Sequence, residues 1–341
     1  MRKELPINIK SPITTECWTF YRMAILSSYP NFKPWFIDHY NNIFMTKEYY
    51  NLFYGENRTI YNQTSVYNDV IRTTAYPISY VNTQNKVIKA IKEMLDKDCY
   101  VIIECKDHEV FVYGYDDNGS FMSVEMNNGV WYKKEYSFEF VADSFLKMRL
   151  IDKSKKFTRM YAKVREYHYP FTIIKVLETQ YTPDIYKLQI RMQESFYNYK
   201  TYKISITDNS ENLKYWDGPY SVFDGFYEIM TQIINDEIDW DYRIAINLKK
   251  LTEYNRLFRQ KMVWLMEYYN VDFSDKMFDA YDKVIKDLDI NFNLAIRYNI
   301  DSNKENIKKI HDRLCQNSFE FNLAYTDFLI KIQDLIIERL D

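Results

Sequence analysis

Cysteine and histidine are the residues of this chain best suited to nucleophilic or metal chemistry. Both are rare: the cysteines are Cys17, Cys99, Cys105 and Cys315, and the histidines are His39, His108, His168 and His311. None of them has the CxxC, HxH or HExxH spacing, so we expect no structural zinc site. Each cysteine is therefore interpreted either as a small buried side chain or as a nucleophile.

Cys17 stands at the predicted start of a helix. Thr14 and Thr15 can cap it, and the segment from Cys17 to about Ser28 places Phe20, Met23, Ala24 and Ser27 on one face. A helix N-terminus stabilises a thiolate, although the neighbouring Glu16 opposes that charge. We interpret Cys17 as the candidate nucleophile, with simple burial as the alternative.

His108 stands at the start of a predicted strand. The strand-like runs are Tyr100–Cys105, His108–Tyr115 and Phe121–Met126, and Asp116-Asp117-Asn118-Gly119 predicts a hairpin between the last two. Alternation places His108, Val110 and Val112 on one face and Phe111, Tyr113 and Tyr115 on the other.

The partner strand offers two residues that could orient the His108 imidazole. An even-length turn puts Glu125 and Asn127 on the same face as His108. A two-residue Asn-Gly turn pairs Val110 with Asn127, whereas a register centred on Asp116-Asp117 puts Glu125 opposite His108. The sequence leaves both registers open, with solvated edge polarity as the alternative for either residue.

The remaining pattern indicates an α+β chain of two domains, which its 341 residues also suggest. Asn82 and Thr83 can cap a second helix that ends near Lys97. We expect a short helix at Ser137–Phe145, a strand at Arg159–Val164, and a helix that begins at Thr182-Pro183 and runs through Tyr197. Helical periodicity then dominates near 221–236, 243–269, 273–297 and 303–340. The predicted domains are residues 1–157, and a mainly α-helical domain over 158–341.

Composition excludes several classes of function. The chain has 33 Tyr and 22 Phe but only 6 Gly, and those glycines form neither a GxGxxG nor a P-loop pattern. The net charge of −3 disfavours phosphate-driven binding of nucleic acid. No segment resembles a membrane span or signal peptide, so we expect a cytoplasmic protein. We also expect no cofactor.

Two motifs carry a resemblance to a known family. ECWTF at 16–20 and HEVFVYGYDDNG at 108–119 resemble the papain-type arrangement, in which Cys-Trp opens the central helix and His starts a strand that ends in Gly-Tyr. The order is similar to that of the butirosin biosynthesis H-type family of papain-like acyltransferases. In that family the strand after Gly-Tyr-Asp ends in an acidic residue. Glu125 corresponds to this residue, although it is Glu rather than Asp. SSYPNFKPWFIDHY and YWDGPYSVFDGFYEI extend the similarity.

The resemblance implies a papain-like domain with an antiparallel sheet and a central helix, followed by a helical domain. It also implies a reaction in which Cys17 takes an acyl group from the phosphopantetheine thioester of a carrier protein and passes it to a small amine, assisted by His108 and Glu125. The backbone N–H of Cys17 would stabilise the oxyanion, with Asn8, Thr14 and Thr15 as candidates for the second donor. Trp18, Trp35 and Phe36 could line a dry acyl channel, or could simply pack in the core.

Two other classes of function fit the same residues. A cysteine peptidase or amidase would use the same three catalytic groups, with water as the acceptor. A non-catalytic helical interaction protein would need Cys17 only for packing.

Overall fold

A computed structural model of the chain describes residues 2–11, 13–15, 17–47, 52–54, 67–105, 108–127, 129–151, 170–178, 180–197 and 215–339. The strands, in chain order, are β1 (Lys3–Glu4), β2 (Ile43–Thr46), β3 (Leu52–Tyr54), β4 (Ile71–Ala75), β5 (Cys99–Glu104), β6 (Glu109–Tyr115), β7 (Ser120–Asn127), β8 (Val130–Ser137), β9 (Phe171–Val176) and β10 (Tyr215–Asp217). The helices are α1 (Cys17–Leu26), α2 (Phe32–Asp38), α3 (Gln84–Asp96), α4 (Phe138–Ile151), α5 (Ile185–Tyr197), α6 (Pro219–Ile234), α7 (Arg243–Tyr269), α8 (Asp275–Asp301) and α9 (Lys304–Ile337).

The chain divides into two units, and neither is a continuous segment. The first comprises Met1–Phe32 and Tyr61–Tyr181, and the second comprises Lys33–Ile60 and Thr182–Asp341. This division differs from a single boundary at residue 157. It follows from strand pairing, because β9 pairs with β4 and β5 in the first unit, whereas β2 pairs with β10 in the second.

The first unit is built on an antiparallel sheet in the order β4-β9-β5-β6-β7-β8. Helix α1 covers one face, on which Tyr21 stacks on Phe111 and Phe20 stacks on Trp131. The opposite face carries Phe121 and Phe171, whose rings contact Phe138 and Phe145 of α4. Both faces are therefore buried, which accounts for the nearly continuous apolar run of β5 and β6.

The β6–β7 hairpin contains a bulge that the sequence does not predict. Val112 pairs with Ser123, but Gly114 pairs with the adjacent residue Met122, which leaves Tyr113 as the extra residue. Tyr115 consequently pairs with Phe121. The expectation that Tyr115 shares a face with Phe111 is thus wrong, because the bulge reverses the alternation in the second half of β6.

Glycine is required at two points near this hairpin. Gly119 ends the turn with φ of +91°, a left-handed conformation that side chains with a Cβ rarely adopt. Gly114 lies against β1, where a Cβ would stand 2.5 Å from the carbonyl oxygen of Lys3. β1 therefore pairs with the end of β6 only because residue 114 has no side chain.

The second unit joins a three-stranded antiparallel sheet, in the order β10-β2-β3, to long helices. Polar residues of α7 hold the early segment: Asn247 accepts a hydrogen bond from the Leu52 N–H at 3.1 Å, and Lys250 Nζ donates to the Leu52 carbonyl at 2.9 Å. Tyr54 donates to Glu253 at 3.0 Å. These buried contacts fix residues 52–54 on a helix about 195 positions later in the chain.

Lys261 of α7 is fully buried in this unit. Its Nζ donates to the carbonyl oxygen of His39 at 2.6 Å and to the side chain of Asn41, and it faces the rings of Phe36 and Phe258. A buried ammonium is tolerable only with such partners, because desolvation costs several kcal/mol.

Most helical expectations agree with the structure. Thr83 caps α3 by accepting a hydrogen bond from the Lys86 N–H, and α7 and α8 end in left-handed Asn270 and Ser302. The helix expected at Ser137–Phe145 runs on to Ile151. The strand expected at Arg159–Val164 lies outside the described residues. The mixed α+β class, the antiparallel sheets and the helical C-terminal region are confirmed.

We predict that Lys261→Met lowers the free energy of unfolding by about 3 kcal/mol, since two buried oxygens lose a charged donor. Urea denaturation measures this loss, and Lys276→Met is the control because Lys276 lies exposed on α8. A loss no larger than that of the control would show that the contacts of Nζ contribute no net stability.

Candidate functional site

Cys17 is the first residue of α1, as the sequence predicts, and it is half-buried. Among the other cysteines, Cys99 and Cys105 are buried and Cys315 is exposed. Burial raises the pKa of the Cys99 thiol, which disfavours its thiolate. Cys17 thus combines partial access with a helix N-terminus, the combination that nucleophilic thiols use.

Aromatic stacking fixes the beginning of α1 on the sheet. The rings of Phe20 and Trp131 are parallel to within 4°, with centroids 3.8 Å apart, and those of Tyr21 and Phe111 are 5.0 Å apart. The indole N–H of Trp131 also donates to the carbonyl oxygen of Thr14 at 2.8 Å. The chain just before Cys17 is therefore held by β8.

Tyr21 connects α1 to the beginning of β6. Its hydroxyl donates to the carbonyl oxygen of Glu109 at 3.3 Å. Burial raises the pKa of Tyr21 well above its usual value, and the nearby Cys17 and Glu109 charges add to that rise. Tyr21 is consequently a neutral donor, and Cys17 lies one helical turn from a side chain bonded to the residue after His108.

His108 is exposed and lies in the bend that precedes β6. Its carbonyl oxygen accepts a hydrogen bond from the Cys105 N–H at 3.1 Å, which ties the end of β5 to this bend. Because His108 comes before the first residue of the strand, the alternation of β6 does not fix the direction of its ring.

Glu125 is half-buried on β7 and receives hydrogen bonds from β8. The Tyr132 hydroxyl donates to its carboxylate at 2.6 Å, and Lys134 Nζ lies 3.1 Å from the same oxygen. The Tyr132 hydrogen bond, followed by that of Lys134, lowers the pKa of Glu125 below its usual value. Glu125 is therefore an ionised carboxylate at neutral pH.

The pairing of β6 with β7 differs from both registers that the turn predicts. Val112 pairs with Ser123, and the bulge at Tyr113 shifts the pairing that follows. In the described part of the chain the β6–β7 pairs begin at Val112 and Ser123, so they place neither Asn127 nor Glu125 against His108.

The sheet separates these groups from the helix. Ser123 and Glu125 lie on the face of Val110 and Val112, whereas α1 packs on the face of Phe111 and Trp131. Tyr21 brings α1 to the end of the sheet at which β6 begins, and His108 directly precedes β6. For contact with the thiol, the His108 ring must reach the α1 face around the start of β6.

Two other described histidines have structural environments of their own. His39 is buried in the second unit, where burial lowers its pKa to about 3, and its Nδ1 lies 2.8 Å from the Trp35 carbonyl oxygen. His311 of α9 stacks on Tyr227. His168 lies outside the described residues.

The candidate oxyanion donors are not equivalent. Asn8 donates its N–H to the carbonyl oxygen of Ala24, and its side chain accepts from the Lys10 N–H. Ala24 is about 10 Å along the helix axis from Cys17, so Asn8 lies too far from the thiol to be the second donor. Thr15 and Thr14 lie two and three positions before the first residue of α1 and remain candidates.

The proposed aromatic channel receives no support from Trp35 and Phe36. Both are fully buried in the core of the second unit, where Trp35 stacks on His39. The side chain of Trp18 lies outside the described part of the chain. The aromatic residues that do surround the start of α1 are Phe20, Tyr21 and Trp131. Of these, the sequence pattern indicates only Phe20, as part of the predicted helix face. Tyr21 directly follows the motif at 16–20, whereas no local signal marks Trp131.

Within the described residues, no group of three or more His, Cys, Asp or Glu side chains could hold a metal ion. The same part of the chain contains no helix that is long and apolar enough to cross a membrane. No protein-family model matches the chain, and no curated protein matches it significantly.

We predict that Tyr132→Phe raises the pKa of Glu125 toward 4.5, because its strongest hydrogen bond is lost. A carboxylate whose pKa is lower in the folded state stabilises the fold above pH about 4.5. This stabilisation is lost as the pH falls through the pKa of the folded state. The carboxyl carbon shift of Glu125, followed by NMR against pH, measures the change. Tyr186→Phe is the control, and an unmoved Glu125 titration in Tyr132→Phe would contradict the assignment.

Proposed function

We propose that the protein is a cysteine-dependent N-acyltransferase with a papain-like first unit. The observation that carries the proposal is the position of Cys17. It is a half-buried thiol at the first residue of a helix, and Tyr21, one turn later, is bonded to the residue that follows His108. The order of the elements along the chain supports the same proposal: a helix that begins at Cys17, a strand preceded by His108, and a neighbouring strand that carries Glu125.

In the first half-reaction, His108 takes the proton of Cys17 and the thiolate attacks the carbonyl carbon of an acyl thioester. The backbone N–H of Cys17 stabilises the oxyanion. The intermediate then expels the pantetheine thiolate of a carrier protein, which takes the proton from His108. One thioester replaces another, so this step loses little free energy.

In the second half-reaction, a small amine attacks the acyl group on Cys17. His108 removes a proton from the attacking nitrogen, and the Cys17 thiolate leaves and is protonated again. The product is an amide, which is more stable than the thioester. Asn127 or Glu125 orients the imidazole from the neighbouring strand.

Water is the competing acceptor. An acyl-cysteine that is accessible to water gives a free acid with the same catalytic groups, so a cysteine hydrolase is the second candidate function. Transfer requires that the acyl group on Cys17 be less accessible to water than to the amine.

We predict that incubation with an acyl-pantetheine thioester adds one acyl mass to the wild-type protein, localised to Cys17. Added diamine should discharge this adduct as an amide. Cys17→Ala should form neither product, and His108→Ala should slow acylation by about a hundredfold or more.

Intact-mass spectrometry follows the protein, and chromatography follows the amide. Cys315→Ala is the matched control, because Cys315 is the exposed thiol of the second unit and should be dispensable. Free acid with or without diamine would favour the hydrolase. Equal acylation of Cys17→Ala and wild type would refute both enzymatic functions.

A further inference from the structure

β8 contacts the start of α1 on one face of the sheet and the candidate carboxylate on the other. Two adjacent residues make these contacts: Trp131 donates to the Thr14 carbonyl oxygen at 2.8 Å, and Tyr132 donates to Glu125 at 2.6 Å. Adjacent strand residues point to opposite faces. The catalytic role of Glu125 is already considered above, but Trp131 has none assigned to it.

Trp131 holds the chain at the start of α1 in two independent ways. Its ring stacks on Phe20, three residues after Cys17, and its N–H binds Thr14, three residues before it. The side chain is buried, so water does not compete effectively for the Thr14 carbonyl. The nucleophile is thus bracketed by two contacts with one rigid indole.

We propose that Trp131 is a positioning residue for Cys17, and that its indole N–H sets the direction of the backbone that leads into the thiol. The inference rests on the proposed function, since position matters only if Cys17 reacts. Trp131 touches neither the thiol nor the acyl group in this role. It acts through the Thr14 carbonyl and, by that contact, on the N–H groups at the start of α1.

The test separates the hydrogen bond from the stacking. Trp131→Phe keeps an aromatic ring against Phe20 but removes the donor. The benzothiophene analogue of tryptophan, placed only at residue 131, keeps the full ring size and also lacks the N–H. Trp240→Phe is the matched control, because the Trp240 indole N–H also makes one hydrogen bond, to Asn299, in the second unit.

We expect both changes at residue 131 to slow iodoacetamide labelling of Cys17 about tenfold or more at neutral pH, and to lower kcat of acyl transfer by a similar factor with little change in KM. Trp240→Phe should leave both rates unchanged. Urea unfolding identifies a variant that fails to fold, in which case the benzothiophene analogue decides.

The results distinguish failure of the proposed function from failure of the role of Trp131. If wild-type Cys17 labels no faster than Cys315, the proposed function fails and this inference falls with it. If wild-type Cys17 labels fast and the benzothiophene analogue labels equally fast, the proposed function stands and the role of the Trp131 N–H is refuted. Equal slowing in Trp240→Phe would also refute it, because the effect would then be a general loss of stability.

Discussion

The stacking of α1 on the sheet is the constraint on which the candidate site depends. Phe20 and Tyr21 pack on Trp131 and Phe111, and this contact determines where the first residue of the helix lies. Aromatic pairs of this kind bury large areas and also favour particular ring orientations. Cys17 therefore has a defined position at the end of the sheet where β6 begins, and the chemistry proposed for it follows from that position.

Tyr21 shows how packing and electrostatics act together at this point. Burial keeps its phenol protonated, so it can donate to the Glu109 carbonyl oxygen without adding negative charge beside a thiolate. Glu125, in contrast, is kept ionised by donors from β8. The neutral Tyr21 and the charged Glu125 thus lie on opposite faces of the sheet.

The core of the second unit depends on several buried polar contacts. Lys261 donates to the His39 carbonyl, and Lys250, Glu253 and Asn247 hold residues 52–54. Such contacts require specific partners rather than matching volume alone. They join an early segment of the chain to α7, which explains why the units are interleaved in sequence.

The sequence predicted elements whose signals are local. Helix α1 begins at Cys17, Thr83 caps α3, and Asp116 to Gly119 form the hairpin turn, because capping residues and turn residues act within a few positions. Features that depend on distant residues were not predicted. The bulge at Tyr113 shifts the register, and β2 pairs with β10 at a separation that no local pattern indicates.

The most direct test of the central claim is a cross-link between the two side chains proposed to be catalytic, Cys17 and His108. Dibromoacetone first alkylates a reactive thiol and then any nucleophile within reach of its short three-carbon bridge. Peptide mass spectrometry should find Cys17 joined to His108 as the main product in the wild type, and no such product in His108→Ala. A Cys17 adduct that never links to His108, or links equally well elsewhere in both proteins, would contradict the proposed pair.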